Sequence, residues 1–217
     1  MVDLAARETA LSTVTVITPT WQRHQMLLER AIPSVQAQGY PAVEHLVISD
    51  GPDPYLRDRL APNRIRRDGQ YRLWYDELHE HDPDPHYGHH CRARGTELAA
   101  GGYITYCDDD DLLQPHHCEV LARALDENPD AGFALSLMMS HGPHGDVVIG
   151  VGGPAQGNVG TPQIMHRRGP LDVATWDHAG QFEDWDLVWA WIQAGVKYVL
   201  VDQVTTDVWP SRWREGG

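Results

Sequence analysis

Apolar and polar positions along this chain fall into blocks that switch between the period of a strand and that of a helix. Val14-Thr15-Val16-Ile17-Thr18 is a β-branched run that predicts a buried strand, stopped by Pro19. Over 22–38 the apolar residues Met26, Leu27, Ala31, Ile32 and Val35 recur at helical spacing, and Gly39 ends the segment. Pro33 inside it predicts a kink or a division. Residues 44–49 give a second strand, followed by the turn formers Asp50-Gly51-Pro52-Asp53-Pro54. Strand, helix and strand make a βαβ unit, whose right-handed crossover brings both strand ends to one edge of a parallel sheet.

The region 55–88 is less regular, gathers Arg57, Arg59, Arg64, Arg66 and Arg67, and offers 71–75 as a third strand. Small residues predict a helix over 89–100, ended by Gly101-Gly102, and Tyr103-Ile104-Thr105-Tyr106 reads as a buried strand. Cys118, Leu121, Ala122 and Leu125 place a helix over 115–127, which Asn128-Pro129 terminates. Residues 131–139 and 147–150 form a hairpin, which brings antiparallel pairing into the sheet. The glycine-rich stretch 150–162 predicts a mobile loop over the site, and 163–166 a short strand. Residues 181–195 carry acids at their start and an apolar stripe of Leu187, Trp191 and Ile192, so they predict a helix leading to a final strand over 196–201. The alternation specifies an α/β fold.

Chemistry concentrates where the strand over 103–106 runs into Asp108-Asp109-Asp110-Asp111. Adjacent carboxylates repel one another, so something cationic should compensate them. A hard divalent ion such as Mg²⁺ or Mn²⁺ is the simplest candidate, because it takes one or two protein carboxylates together with water and phosphate oxygens. The plainer alternative is a solvated acidic loop that caps the following helix. Position favours the ion: open α/β sheets place ligands at the carboxyl ends of their strands. By the same logic Asp50, at the end of the second strand, is either a turn former or an acceptor for a nucleobase or ribose. Arg94 either faces the phosphate site or is a solvated helix arginine.

Glu183 and Asp184 open the last helix among Phe182, Trp185, Trp189 and Trp191. They are either plain helix-start acids or, next to apolar walls that raise a carboxyl pKa, a general base. The histidines of 79–90, with Cys91, His116, His117 and Cys118, invite a zinc site. Against zinc, neighbouring helix positions point about 100° apart and no recognised ligand spacing is present.

The net charge of -14 argues against a nucleic-acid backbone as main partner, while a metal ion can still invert the local field for phosphate ligands. Cys91, Cys107 and Cys118 form no CxxC pair, which suits a reducing compartment. With no apolar run long enough to span a bilayer, a cytoplasmic protein is expected, and peripheral membrane association stays open.

Six stretches in order, covering nearly the whole chain, together resemble the family 2 glycosyltransferases of the GT-A fold. They are Thr18-Pro19-Thr20-Trp21-Gln22-Arg23, Ser34-Val35-Gln36-Ala37-Gln38-Gly39-Tyr40-Pro41, Ile48-Ser49-Asp50-Gly51, Ala93-Arg94-Gly95, the strand into Asp108 to Asp111, and Glu183-Asp184-Trp185-Asp186. The resemblance implies one GT-A domain over 1–217, a Rossmann-like, mixed but mostly parallel sheet flanked by helices. Its nucleotide-binding half would cover about 12–111 and its acceptor half about 112–217. It implies that Thr18, Pro19, Thr20 and Arg23 line the nucleotide pocket with Asp108 and Asp109. Asp50 would read the base, usually uracil, with Arg94 near the nucleotide. Asp108 and Asp110 match the acids of the DxD motif that binds Mn²⁺ or Mg²⁺, Asp110 being the direct ligand. Asp184 matches the catalytic base, with Glu183 beside it. The sequence departs from the family in having Gly95 where asparagine is usual and Ser49-Asp50 where two acids are usual; His178 or water would complete the metal shell. The implied reaction is metal-dependent, inverting transfer of a sugar from a nucleotide donor, a UDP-sugar in the first place, to an acceptor hydroxyl. A nucleotidyltransferase of similar fold and a non-catalytic nucleotide-sugar-binding module are the rival readings. The first lacks its glycine-rich phosphate loop here, and fold alone does not exclude the second.

Overall fold

A computed structural model describes residues 12–61, 64–65, 71–82, 88–176 and 183–209, with 64, 65 and 183 described by their backbone. β1 (Val14–Thr20) leads to α1 (His24–Met26), a π-helical turn (Leu27–Ala31) and α2 (Ile32–Gln36). β2 (Val43–Ser49), α3 (Pro54–Leu60), β3 (Arg64–Ile65) and β4 (Tyr71–Glu77) follow. α4 (His89–Leu98) returns the chain to β5 (Tyr103–Tyr106), β6 (Leu112–Leu113) and α5 (His117–Glu127). β7 (Phe133–Gly142) and β8 (Gly145–Ile149) make the expected hairpin, β9 (Ile164–His166) comes next, and α6 (Glu183–Gln193) and β10 (Tyr198–Val208) complete the described chain.

Among the described residues these strands form one ten-stranded sheet in the order β3-β4-β2-β1-β5-β9-β7-β10-β6, with β8 on β7. β4, β2, β1 and β5 are parallel, as are β7 and β10, while β9 runs antiparallel between β5 and β7. The carboxyl ends of β1, β2, β4 and β5 therefore share one edge. Alternation along the strands builds two cores. Val14 and Val16 pack with Leu27, Val35, Leu56, Leu121 and Leu125, while Ile17 packs on the other face with Cys91, Tyr106, Trp176, Leu187 and Trp191. Burial of side chains this size contributes about 1.5–3 kcal/mol each.

Local details depart from the periodicity for physical reasons. Gln22 has φ 55, in the left-handed region, so the first helix starts at His24 and not at 22. Pro33 has no N–H to donate, and the turn before it is π-helical, with the Ile32 N–H bonded to Leu27 O. Pro19 does not stop β1. Cys107 N–H donates to Ile17 O, so Ile17, and Pro19 two residues on, face β5; pairing to β5 ends at Tyr106, and the missing proline N–H costs no ladder bond. The 150–162 stretch, expected to be mobile, is closed on Asn158: its Oδ1 accepts from Gly150 N–H at 2.7 Å and its Nδ2 donates to Val151 O and Gly153 O.

β10 runs seven residues past the expected end at 201, and its register against β7 shifts twice on the way: residues 201–203 face only Ser136, and one more residue is bulged out after Val204. Val204 pairs with Leu137 and Thr206 with Met138, leaving Thr205 unpaired with β7. Its hydroxyl enters a buried polar chain. Thr105 spends its single proton on Ile164 O at 2.7 Å, so it accepts from His117 Nε2–H; His117 Nδ1 then accepts from Thr205, which accepts from Ser136. His117 is thereby fixed as the neutral Nε2–H tautomer, consistent with burial lowering its pKa to about 3.

Candidate active site

The acid run emerges from β5 at the shared carboxyl edge, and arginines meet it. Asp109 accepts from Thr20 Oγ1 at 2.9 Å and from Arg23 at 3.2 Å, and Asp110 accepts from Arg23 at 2.6 Å. Arg30 donates to the Asp110 carbonyl at 2.6 Å and stacks 4.1 Å over Trp209. Burial pushes Asp109 above the ordinary carboxylate range, and Arg23 and Thr20 oppose that shift. Burial and the Asp108 charge push Asp111 well above it, with the Trp209 N–H pulling the other way. The cationic compensation demanded by the sequence is thus supplied in this structure by Arg23, Arg30 and Arg92.

Arg92 is the residue at this edge that sequence reasoning missed. It is 3% exposed, donates to Asp108 at 2.6 Å, and lies 5.1 Å over the Trp176 ring. Trp176 is itself fixed: its Nε1–H donates to Tyr106 at 2.8 Å, and Tyr106 donates to His166, whose other nitrogen bonds Arg167 O. On α4 the one-turn neighbours of Arg92 are His89, Gly95 and Thr96, all buried but none a large apolar residue, so counting apolar positions hides that face.

Asp184 joins this group from the first turn of α6. Its Oδ2 accepts from the Thr161 N–H and its Oδ1 from the Trp185 N–H, each at 3.1 Å. Burial raises its pKa above the ordinary carboxylate value, Arg92 opposes the rise, and Asp108 adds to it. Two acids separated by 76 positions therefore both feel one guanidinium, Asp108 by direct hydrogen bond and Asp184 through its charge. Glu183 lies beside Asp184 in the backbone of α6.

The other expected residues are placed as follows. Thr18 is buried, and its hydroxyl bonds His45 Nε2 at 2.8 Å while His45 Nδ1 meets Tyr71, so the polar end of Thr18 is used inside the sheet. Pro19 packs where a Gly88 Cβ would stand 2.8 Å from its ring. Asp50 accepts from the Asp82 N–H at 3.2 Å and bonds His81 at 2.8 Å, and the His81 ring stacks on Trp21 at 4.0 Å. Arg94 does not join the acids after β5: it is held by Asp76 at 2.9 Å and Glu97 at 3.1 Å, on the opposite side of α4 from Arg92. His178 lies outside the described residues.

A hard divalent cation has oxygen donors here. The Asp108 side chain is 31% exposed, whereas those of Asp109 and Asp110 are 6% and 8% exposed and tied to Arg23. Among the described residues, no three of these carboxylates converge as a ligand group. That fits an ion needing one or two protein carboxylates. Asp108 offers the more accessible carboxylate, bonded by Arg92, and the Asp110 carboxylate is bonded by Arg23.

Known structures share this arrangement of strands and helices. The S. aureus TarS fragment 1–349 in complex with UDP-GlcNAc superposes with a TM-score of 0.67 at 17% identity, over 94% of this chain and 61% of that one. The mannosyltransferase PcManGT from Pyrobaculum calidifontis, in complex with GDP-Man and Mn²⁺, gives 0.66 at 16% identity over 94% and 59%. The fold is GT-A. At the level of sequence, a GalNAc(5)-diNAcBac-PP-undecaprenol beta-1,3-glucosyltransferase of Campylobacter jejuni is 26% identical over 129 residues, 59% of this chain and 40% of that protein. The chain spans less than half the length of the curated relatives it matches. No family model matches it. In this GT-A chain the acids after β5, Arg92 and Asp184 occupy the carboxyl edge of the parallel strands, where α/β sheets bind ligands. Among the described residues, no helix is long and apolar enough to cross a membrane.

Proposed function

We propose that this chain is a glycosyltransferase module, moving a sugar from a nucleoside-diphosphate donor to an acceptor hydroxyl with inversion. The observation that carries the reading is Asp108 bonded to the buried Arg92, whose charge also acts on the Asp184 carboxyl, on a GT-A sheet edge. A UDP-sugar is the favoured donor, since TarS is complexed with UDP and with UDP-GlcNAc. Residues 1–217 act as one domain in this reading, with the donor held by the half over 12–111 and the acceptor by 112–217.

Asp184 is the base. Two backbone N–H groups hold the carboxylate in one orientation, and its partial burial outweighs them to raise its proton affinity, as proton removal from a sugar hydroxyl needs. The acceptor oxygen bonds to the anomeric carbon as the bond from that carbon to the diphosphate oxygen breaks, and the hydroxyl proton passes to Asp184. Displacement from the opposite face inverts the centre. Arg92 and Arg23 present guanidinium charge where the diphosphate would gain negative charge. Thr20 and Asp109 fix Arg23 beside the donor, and Asp50 reads the base from the Trp21–His81 side. Asp108 and Asp110 would hold Mn²⁺ or Mg²⁺, which would supply further charge stabilisation to the leaving diphosphate.

The test is turnover of UDP-sugars by the wild type and by Asp184→Asn and Glu183→Gln variants, with UDP affinity measured by calorimetry. Asp184→Asn is expected to lose about 10²–10⁴-fold in turnover while UDP still binds and the unfolding midpoint shows a folded chain. Near-normal turnover in that variant removes Asp184 from the role. UDP binding without release of nucleoside diphosphate by the wild type favours a binding module instead.

A further inference from the structure

We propose that Asp82, His89 and His90 form a site for one Zn²⁺ ion, separate from the acids after β5 and independent of the transferase reading. One carboxylate oxygen and two imidazole nitrogens of these residues all lie within 4.8 Å of one another. Among the described residues no other group of three His, Cys, Asp or Glu side chains converges in this way. His90 Nε2 is 3.0 Å from Asp82 Oδ2. A tetrahedral ion with bonds of about 2.1 Å holds its ligand atoms about 3.4 Å apart, so rotation about side-chain bonds suffices for this pair to admit it. The His89 ring completes the group, its centroid 3.8 Å from that of His90 with the planes tilted by 43°.

Neighbouring helix positions diverge by about 100°, which is why the sequence argues against zinc here. The start of α4 removes that objection. His89 and His90 are its first two residues, so no preceding turn of helix occupies the space behind them, and helical side chains lean towards the N-terminus. Gly88 has φ 87, which lets the chain turn sharply into the helix against Pro19, where a Cβ would stand only 2.8 Å from the proline ring. Both imidazoles fold back into the same space, towards Asp82.

The donor set selects the metal. Two imidazoles and one carboxylate suit zinc, whereas Mg²⁺ and Mn²⁺ favour oxygen ligands like the acids after β5. His89 is buried and the His90 side chain is 51% exposed, so one ligand is anchored in the protein and the site is open to solvent. Three protein ligands leave a fourth position for water. The Asp82 N–H and the His81 ring both engage Asp50, and α4 carries Arg92. An ion joining Asp82 to α4 therefore clamps the Asp50 segment to the helix that holds Asp108.

The test uses the full chain stripped with EDTA and kept in excess Mg²⁺. It is titrated with Zn²⁺ by calorimetry and with Co²⁺ by visible absorption. Expected are about one equivalent of Zn²⁺ per chain, strong low-coordinate Co²⁺ bands, and at least tenfold weaker binding in Asp82→Asn and in His90→Asn. His141→Asn, which alters the histidine between Asp146 and Asp207, is expected to bind as the wild type does. Absence of saturable Zn²⁺ binding, unchanged affinity in folded His90→Asn, or loss in His141→Asn overturns the site. Because His90 is half-exposed, far-UV circular dichroism of His90→Asn is expected to match the wild type, so that variant decides the matter if Asp82→Asn does not fold.

Discussion

Replacing Gly95 by alanine puts the position of α4 to a quantitative test. A Cβ at Gly95 would stand 2.5 Å from Ile17 Cγ2, 3.0 Å from Cδ1 and 3.1 Å from Cγ1, and Ile17 is fully buried in the strand beneath. Cγ2 sits next to the strand backbone, so neither a rotamer change nor a small tilt clears all three contacts. Overpacking of this kind costs about 1–3 kcal/mol, and alanine recovers about 1 kcal/mol through helix propensity. The net expectation is a loss of up to about 2 kcal/mol, read as a lower urea midpoint with an unchanged m-value. Ile17→Ala alone should cost about 2–5 kcal/mol. The double variant should cost less than the sum, because the new methyl fills part of the cavity. A Gly95→Ala chain more stable than the wild type, or additive losses in the double variant, refutes the close approach of α4 to β1. Arg92 lies one turn before Gly95, so the same substitution should also weaken UDP binding.

Arg92→Met should cost about 1.5–3 kcal/mol, because it removes the charge-assisted hydrogen bond to Asp108, and thermal unfolding against Arg94→Met, expected to be nearly silent, checks this. Stability should also fall with acid. Burial lowers His45 and His117 to about 3 and His166 to about 4. All lie below the ordinary 6.5, so the unfolded chain binds the extra protons, and stability present at neutral pH is lost below about pH 6.5 by up to ~1.4 kcal/mol per pH unit per histidine. Asp109, Asp111 and Asp184, raised by burial, act in the opposite sense and keep the slope below that of three protons. Urea midpoints at pH 7.5, 6.0 and 5.0 measure it, and stability that is flat or rising towards pH 5 contradicts the buried neutral histidines.

Elements that bury large apolar residues at regular spacing were legible from the sequence. The strand over 14–18, the hairpin and the helix over 115–127 all have such stripes, and the α/β class follows from their order, while the GT-A architecture comes from the family resemblance. α3 was not seen, although Asp53-Pro54 is a helix start in plain view: the Asp53 carboxylate accepts from Leu56 N–H at 3.0 Å and Pro54 takes a position that needs no N–H. Read as turn formers, the same residues hid the helix. In the site the acids were visible because they are adjacent. Arg92 was not, since its role depends on Asp108 and Asp184 arriving from two other elements. Arg94, two residues on, points about 200° away around the helix and meets Asp76 instead.

The bulge at Thr205 gives the end of β10 a frame as well as a bend. By absorbing one extra residue it turns the Thr205 hydroxyl to His117 and Ser136, and leaves Asp207 on Gln114 and His141 with Trp209 between Arg30 and His141. Side chains alternate along a strand, so a change of length that the irregular stretch 201–205 does not absorb would swap the two faces of everything after it. Trp209 would then leave Arg30, and Asp111 would lose the backbone N–H that holds it. The rim of the site is in this sense counted out from a point on another strand, and changes of length there should be tolerated only where they are absorbed or compensated.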